Sequence, residues 1–443
     1  MCEAVRAHPG TTVAPVLFGK DNPQCRIPEV QARVARFTLY MSLIAGILSA
    51  IVSPKLGVLS DRYGRKPVIT FTTIGFLVTE TVTILVGTFP DMLSVNWFLA
   101  AATIEGLSGS FIATLAICHS YATDCTPPRE RHVAFGRFHG CLFTGIALGP
   151  VLAGYLIKWT GNVLSVFYAA IAALLIFILF LNVCIPESLS KDRQQTAQDK
   201  NDSERQAAAH YTHNWKTRVK QLNILESLRI LYPRGQNING LARRNLLLLA
   251  LIDFCCFGVA MGSMTVVIIY SNYQFGWGSV ESSMFLSAVN SCRVFCLIIV
   301  LPLISRAFRG RDSSSTGPKH GSDTLDLNLI RFSILIDAFG YIGYSVSQNG
   351  PAFVFSGMLA SVGGISSPTL QSSLTKHVPS DQTGQLLGAT GLLHAIARVL
   401  GPLVFNGIYS LTVSSLPQTV FICLAATFGL AHVLAWFLIA GGE

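Results

Sequence analysis

Eleven stretches of this chain stay apolar for about 20 residues at a time, which at ~1.5 Å of helical rise per residue matches the thickness of a hydrocarbon core. Lipid offers no partner to a backbone N–H or C=O, so a crossing segment must satisfy its own hydrogen bonds as a helix or close into a barrel. The runs show no strict alternation of apolar and polar residues, which excludes barrel strands. The spacing predicts helices over Phe37 to Leu59, Val68 to Val86, Val95 to His119, Arg137 to Leu156 and Val163 to Ile185. After a polar interval it predicts six more, over Asn245 to Tyr270, Met284 to Arg306, Leu329 to Val346, Ala352 to Leu374, Leu386 to Leu411 and Val420 to Ala440. The chain therefore reads as an all-α polytopic membrane protein, with the lipid bilayer as its first partner. Composition agrees, since 51% of residues are hydrophobic and only 12% are charged, far from the balance of a water-soluble domain.

A formal net charge of +9 would suggest nucleic acid as the partner of a soluble protein. Here the placement of the charge points elsewhere. Lys55, Arg62, Arg65 and Lys66, then Arg129 and Arg131, then a dense set from Lys191 to Arg244, then Arg306, Arg309, Arg311 and Lys319, then Lys376, fall in alternate connections. The intervening connections "FPDMLSVN", "SNYQFGWGSVESS", "SQNGP" and "TVSSLPQ" contain no Lys or Arg. The positive-inside rule assigns the basic set to the cytosol. Residues 1–36 then form an extracytosolic segment and 188–244 a central cytosolic loop. The loop separates an N-terminal bundle, 37–187, with five visible helices, from a C-terminal bundle of six, 245–443.

Punctuation repeats between the two halves. Pro127, Gly136, Gly149 and Pro150 recur 252 residues later as Pro379, Gly388, Gly401 and Pro402. Parallel repeats of this kind are a transporter trait, with the site near the midplane between the bundles. The helix bearing Gly401 is the fifth of its half, whereas the helix bearing Gly149 is the fourth. The expectation is two pseudo-symmetric bundles of six, with the first transmembrane helix missing from this chain; the alternative is a fold of eleven helices with a coincidental repeat.

The connection between the first two runs reads "GVLSDRYGRKPV". It resembles the signature loop of the major facilitator superfamily, matching at Gly57, Asp61, Arg62, Gly64, Arg65 and Lys66. The physical content of such a loop is a tight turn that needs glycine and a carboxylate among cations. The resemblance implies that Asp61 latches the two bundles on the cytosolic side, near the start of a helix at Gly384, with Arg62 and Arg65 holding the loop. In the repeat-equivalent stretch, 306–313, basic charge and Gly310 are kept but Ser313 stands where Asp61 would recur, so the expected latch is one-sided. "GIALGPVLAG", with Gly145, Gly149, Pro150 and Gly154, resembles a fifth-helix motif of antiporters in the same superfamily. Because Gly401 and Pro402 repeat it, we read both copies as helix-packing surfaces. Where relatives carry an arginine four residues before a glycine, this chain has Glu105 before Gly109. The stretch "CRIPEVQARVARF" looks like the first outer loop of the branch that contains proton-coupled folate transporters.

Ionisable residues inside a span cost about 2.5 to 3.5 kcal/mol each on insertion scales, and so call for a cavity or a partner. The chain places Glu80, Glu105, Asp253, Arg293, Asp337 and Arg398 there, with His394 one helical turn before Arg398. Glu105, Asp253, Arg293, Asp337, His394 and Arg398 are candidate substrate or proton sites. Desolvated carboxyls at Glu105 and Asp337 suit proton carriage, and Arg293 and Arg398 suit an anionic group on the solute. Ion pairing inside a bundle is the competing reading for each.

Most of the cysteines lie in or beside apolar runs and read as packing residues. Cys2 and Cys25 share the segment assigned to the oxidising side and are candidates for a disulfide, unless the partner of Cys2 lies elsewhere. No metal-ligand spacing, nucleophile elbow, phosphate loop or nucleic-acid module is present, so the reading includes no enzyme, cofactor or metal. The function expected is a secondary active transporter of a small organic solute, working by alternating access and coupled to protons. It is expected to act as a monomer in the plasma membrane or an endomembrane. The rival is a sensor or scaffold of transporter shape that binds solute without moving it.

Overall fold

The computed structural model describes residues 28–209, 228–232, 240–309, 322–379 and 382–440, and the described residues contain helices and no strand. The first half comprises α1 (Pro28–Tyr63), α2 (Arg65–Thr88), α3 (Trp97–Leu107), α4 (Ser110–Cys125), α5 (Arg131–Thr160), α6 (Leu164–Val183) and α7 (Lys191–Ala209). The second comprises α8 (Gly240–Phe275), α9 (Ser279–Phe295), α10 (Leu301–Arg309), α11 (Thr324–Val346), α12 (Gly350–Gly363), α13 (Ser366–Thr375), α14 (Thr383–Thr412) and α15 (Thr419–Trp436). Among the described residues these form 11 spans long and apolar enough to cross a membrane. The candidate disulfide between Cys2 and Cys25 lies outside the described residues.

Three of the spans are interrupted. The span 97–125 breaks between α3 and α4, where Gly109 sits at φ 91 and Ser110 at φ 56. The left-handed conformation is open to glycine but costly for a residue with a Cβ. The span 350–375 breaks between α12 and α13 at Gly364 and Ile365. A 252-residue shift carries the first break to within a few residues of the second, so the two halves interrupt the same helix. The span 280–308 contains a π turn, Cys296–Val300, between α9 and α10.

The two halves meet along crossed pairs of helices. α1 lies against α14 closely enough that Gly57 faces the Gly384 carbonyl and Gly388 approaches Pro54. On the other side of the molecule α5 lies along α9 and α10, with Gly136 against Leu301 and Gly140 against Ile298. The second half encloses a large core in which Tyr270, Phe353 and Phe421 are buried and in ring contact. Large apolar side chains such as Leu152, Ile176, Phe332, Phe355 and Leu403 point outward, as a lipid-facing surface requires.

The 188–244 segment between the two sets of spans holds α7, whose Lys, Gln, Ala and Glu residues are good helix formers. Gln198 Nε2 and Arg193 Nη1 tie α7 to the Arg62 carbonyl at 2.9 Å and to Asp124 Oδ1 at 3.2 Å. One expectation changes, and it concerns the glycine motif. A Cβ on Gly401 would collide with the Gly258 carbonyl of α8, so that copy is a packing surface. At Gly145, Gly149 and Gly154 a Cβ would meet nothing within 4 Å. No described helix covers that face of α5, including Pro150, in the way α8 covers the matching face of α14.

Candidate functional site

The end of the molecule that carries the basic connections is closed by a clasp around Gly64. This glycine, at φ 99, turns the chain sharply between α1 and α2. The free N–H groups of Arg65 and Lys66 at the start of α2 donate to the Glu187 carboxylate at 2.8 and 3.0 Å, an anion on a helix N-terminus. Lys66 Nζ also reaches the Asn182 carbonyl at 2.8 Å. Asp61, in the last turn of α1, faces the other half. Its Oδ1 accepts from Gly384 N at 3.1 Å and its Oδ2 from Gln385 N at 2.9 Å, the first turn of α14. Arg65, fully buried, ties this carboxylate to the rest of the first half. Its Nη1 lies 2.6 Å from Asp61 Oδ1 and its Nε 2.9 Å from Asp124 Oδ2. Arg62, beside them, is half-buried.

A second set of contacts closes the same end on the other side of the molecule, against the one-sided expectation. Arg131 Nη1 donates to the Thr375 carbonyl at 3.2 Å. His132 Nε2 lies 3.1 Å from Ser305 Oγ, and its Nδ1 lies 3.6 Å from Asp326 Oδ1. Asp326, fully buried, also pairs with Lys376. His132 stands 252 residues before Gly384, so both helices receive a carboxylate at the corresponding place. The carboxylate is Asp326 at the start of α11, outside the repeat-equivalent stretch, which is why the sequence pattern concealed it.

Above these contacts the mid-span ionisable residues gather at the helix breaks. At the first break Ser110 Oγ donates to Glu105 Oε1 at 2.7 Å and accepts from Arg398 Nη1 at 3.1 Å, so Arg398 of the second half reaches across to the first. Glu80, half-buried on α2, is near enough to Glu105 for their charges to interact. At the second break the Asp337 carboxyl packs against Gly363, where a Cβ would collide with it, and Arg293 Nε lies 2.8 Å from where a Gly364 Cβ would be. Arg293 Nε has no hydrogen-bond partner, and its guanidinium stacks over Phe143 of the first half at 4.8 Å. Between the breaks, Asp253 Oδ2 and His394 Nε2 form a buried pair at 2.7 Å, and the His394 ring stacks on Phe257 at 4.1 Å. The structure thus divides the six candidates into three groups: Glu105 with Arg398, Asp253 with His394, and Arg293 with Asp337.

Sequence reasoning gives no role to His119, His132 or His139, and besides His132 the other two lie at the interface of the halves. His119 of α4 and His139 of α5 stack at 5.2 Å inside it. A lone histidine on an apolar run gives no signal, and only the number of histidines in 119–139, His119, His132 and His139, set them apart. Among the described residues no group of His, Cys, Asp or Glu is arranged to hold a metal ion. Chemically the site offers carboxyls that can exchange protons, a cation with an unused N–H, and helix ends interrupted mid-membrane, where irregular backbone is tolerated only beside protein or water.

A sequence profile of the Major Facilitator Superfamily matches residues 29–402. An MFS-type transporter of Aspergillus versicolor, avaJ, is 30% identical over 414 residues, covering 93% of this chain and 78% of the relative. Among solved structures, the human organic anion transporter MFSD10 superposes with a TM-score of 0.69 at 19% identity, covering 90% of this chain and 83% of that one. The proton:xylose symporter XylE superposes with a TM-score of 0.62 at 14% identity, covering 94% and 88%. None of these is a folate transporter by name, and the resemblance of the 25–37 stretch to that branch gains no support. With its helices, its Gly57 to Lys66 loop and these relatives in agreement, the chain belongs to the Major Facilitator Superfamily and is a membrane transporter.

Proposed function

We propose that this protein moves a small organic anion across the membrane by alternating access, with protons moving in the same cycle. One observation carries the reading: the charged groups at the two matching helix breaks lie above an end that is clasped shut by Asp61 on the amides of Gly384 and Gln385. That is the arrangement of an outward-facing transporter whose basic end faces the cytosol. Arg293, with an unpaired Nε and an aromatic ring beneath it, is the group suited to the anion. Asp337 and Glu105 are the carboxyls suited to carry a proton in one state and release it in the other. The similarity to a human organic anion transporter and to a proton symporter supports the same assignment.

The test is flux into proteoliposomes. A panel of fluorescent organic anions is offered with and without an imposed pH gradient, with pyranine inside to report proton movement. Accumulation that follows the gradient, with a matching change in internal pH, is the expected result. Binding without flux under every gradient would favour the sensor reading instead.

A further inference from the structure

His119 and His139 lie where the two halves press together, between the clasp and the mid-span charges, and their surroundings are unusual for imidazoles. His119 is fully buried and His139 is 6% exposed. Their rings are near-parallel, 7° apart at 5.2 Å, and His119 stacks in turn on Phe135 at 4.4 Å. Neither ring nitrogen of His119 has a hydrogen-bond partner, and neither does Nε2 of His139. Gln371 of α13 meets His119 without a well-formed hydrogen bond. The titratable groups that face the pair across the interface are His394, whose own carboxylate partner is Asp253, and Arg293, which faces His139. No carboxylate acts directly on either ring.

An imidazolium carries two N–H donors and needs two acceptors or water. In this closed arrangement Gln371 is the polar side chain that meets His119, and a charge added to the ring would be buried with no opposite charge beside it. We propose that the His119–His139 pair is a proton-binding site that fills only when the halves part at the basic end. Parting hydrates the rings and supplies the acceptors that an imidazolium's two N–H groups need. Closing again requires that the proton leave. A ligand shifts an equilibrium by its differential affinity for the two states, so acid on the basic side favours the parted form and alkali the closed one. The inference rests on the alternating-access reading above and adds to it a proton exchange point distinct from Glu105 and Asp337.

The test is amide hydrogen exchange of the full chain in nanodiscs at pH 5.5 and pH 8, corrected for intrinsic exchange, followed in 297–305 and 366–375. The wild type is expected to lose protection at least fivefold at the lower pH. His119→Phe with His139→Phe keeps the ring stack, and His119→Gln with His139→Gln keeps polarity. Both pairs are expected to abolish the pH dependence and remain protected. His132 and His377 lie near the same end, and both are intact in these variants. A wild type whose protection is flat with pH, or variants that retain the wild-type response, would overturn the proposal. Asp61→Asn serves as a separate arm, expected to lose protection at both pH values. Failure of that arm alone would count against the clasp of the functional reading and leave the histidine result readable.

Discussion

The carboxylate of Asp61 spans the amides of Gly384 and Gln385, at 3.1 and 2.9 Å, while Arg65 holds the same carboxylate from behind at 2.6 Å. Two halves of the chain separated by more than 300 residues are thus joined by one side chain at the N-terminus of α14. A helix terminus stabilises an anion through free N–H groups and the macrodipole, and burial of the arginine keeps water from competing.

Asp61→Asn keeps the size of the side chain but removes its charge. Hydrogen bonds to a charged group contribute about 1.5–3 kcal/mol each, and their loss here weakens only the closed form. Uptake in proteoliposomes is expected to fall at least tenfold, which corresponds to about 1.4 kcal/mol. Arg65→Lys is expected to have a similar effect, because an ammonium cannot reproduce the fork that bridges Asp61 and Asp124. Wild-type rates in both variants would remove the clasp from the mechanism.

The two copies of the glycine motif differ in a way that stability measurements can read. At Gly401 a Cβ would strike the Gly258 carbonyl, whereas Gly149 faces open space. Gly401→Ala is expected to lower the melting temperature of the purified protein through overpacking of about 1–3 kcal/mol. Gly149→Ala, in a helix with room around it, is expected to be neutral or to stabilise by up to about 1 kcal/mol through helix propensity.

Asp337→Asn and Glu105→Gln are expected to abolish accumulation driven by a pH gradient while leaving solute exchange at equal pH on both sides. The separation matters, because a purely structural role would impair exchange as well. Normal gradient-driven flux in both variants would exclude these carboxyls as proton carriers.

Arg293→Lys retains a positive charge but shortens and compacts the group that stacks over Phe143. For an anionic solute the concentration giving half-maximal uptake is expected to rise about tenfold, a difference of about 1.4 kcal/mol. An anion whose half-saturation is unmoved would place the recognising cation elsewhere.

His377, just beyond α13, is buried, and that burial together with the charge of Lys376 outweighs the Ser373 carbonyl and Asp326, favouring the neutral ring and lowering its pKa. A histidine with a depressed folded-state pKa stabilises the fold in full above its unfolded value, about 6.5, and loses that contribution as pH falls toward the folded value. Melting temperatures measured from pH 8 to pH 5 should therefore decline below about pH 6.5 in the wild type. The decline should be smaller in His377→Gln, and an equal slope in the two proteins would show that the group does not contribute.

Local chemistry was enough to reveal the spans, the Gly57 to Lys66 turn and the repeat. Apolar length, a glycine needed at positive φ and a fixed spacing of 252 residues are properties of neighbouring residues or of the written order. The mid-span charges were also legible one by one, since each is costly in lipid wherever the helix goes. Their pairing was not. Arg398 meets Ser110 from the other half, and Asp253 meets His394 across 141 residues, because helix crossing angles and rotation decide which faces touch.

The residues passed over show the same limit more sharply. His119, His132 and His139 look like ordinary members of apolar or basic stretches, yet packing stacks two of them with three of their four ring nitrogens lacking a hydrogen-bond partner and sets the third beside Asp326. Likewise, identical glycine spacing produced a packed surface at Gly401 and an open one at Gly149. Sequence alone determined that this chain crosses a membrane as helices and carries a transporter's turn and repeat, because hydropathy and backbone conformation are local. Which charges face one another, which end is shut and which glycines are covered were decided only by the tertiary arrangement, because burial and partnership are properties of two surfaces brought together.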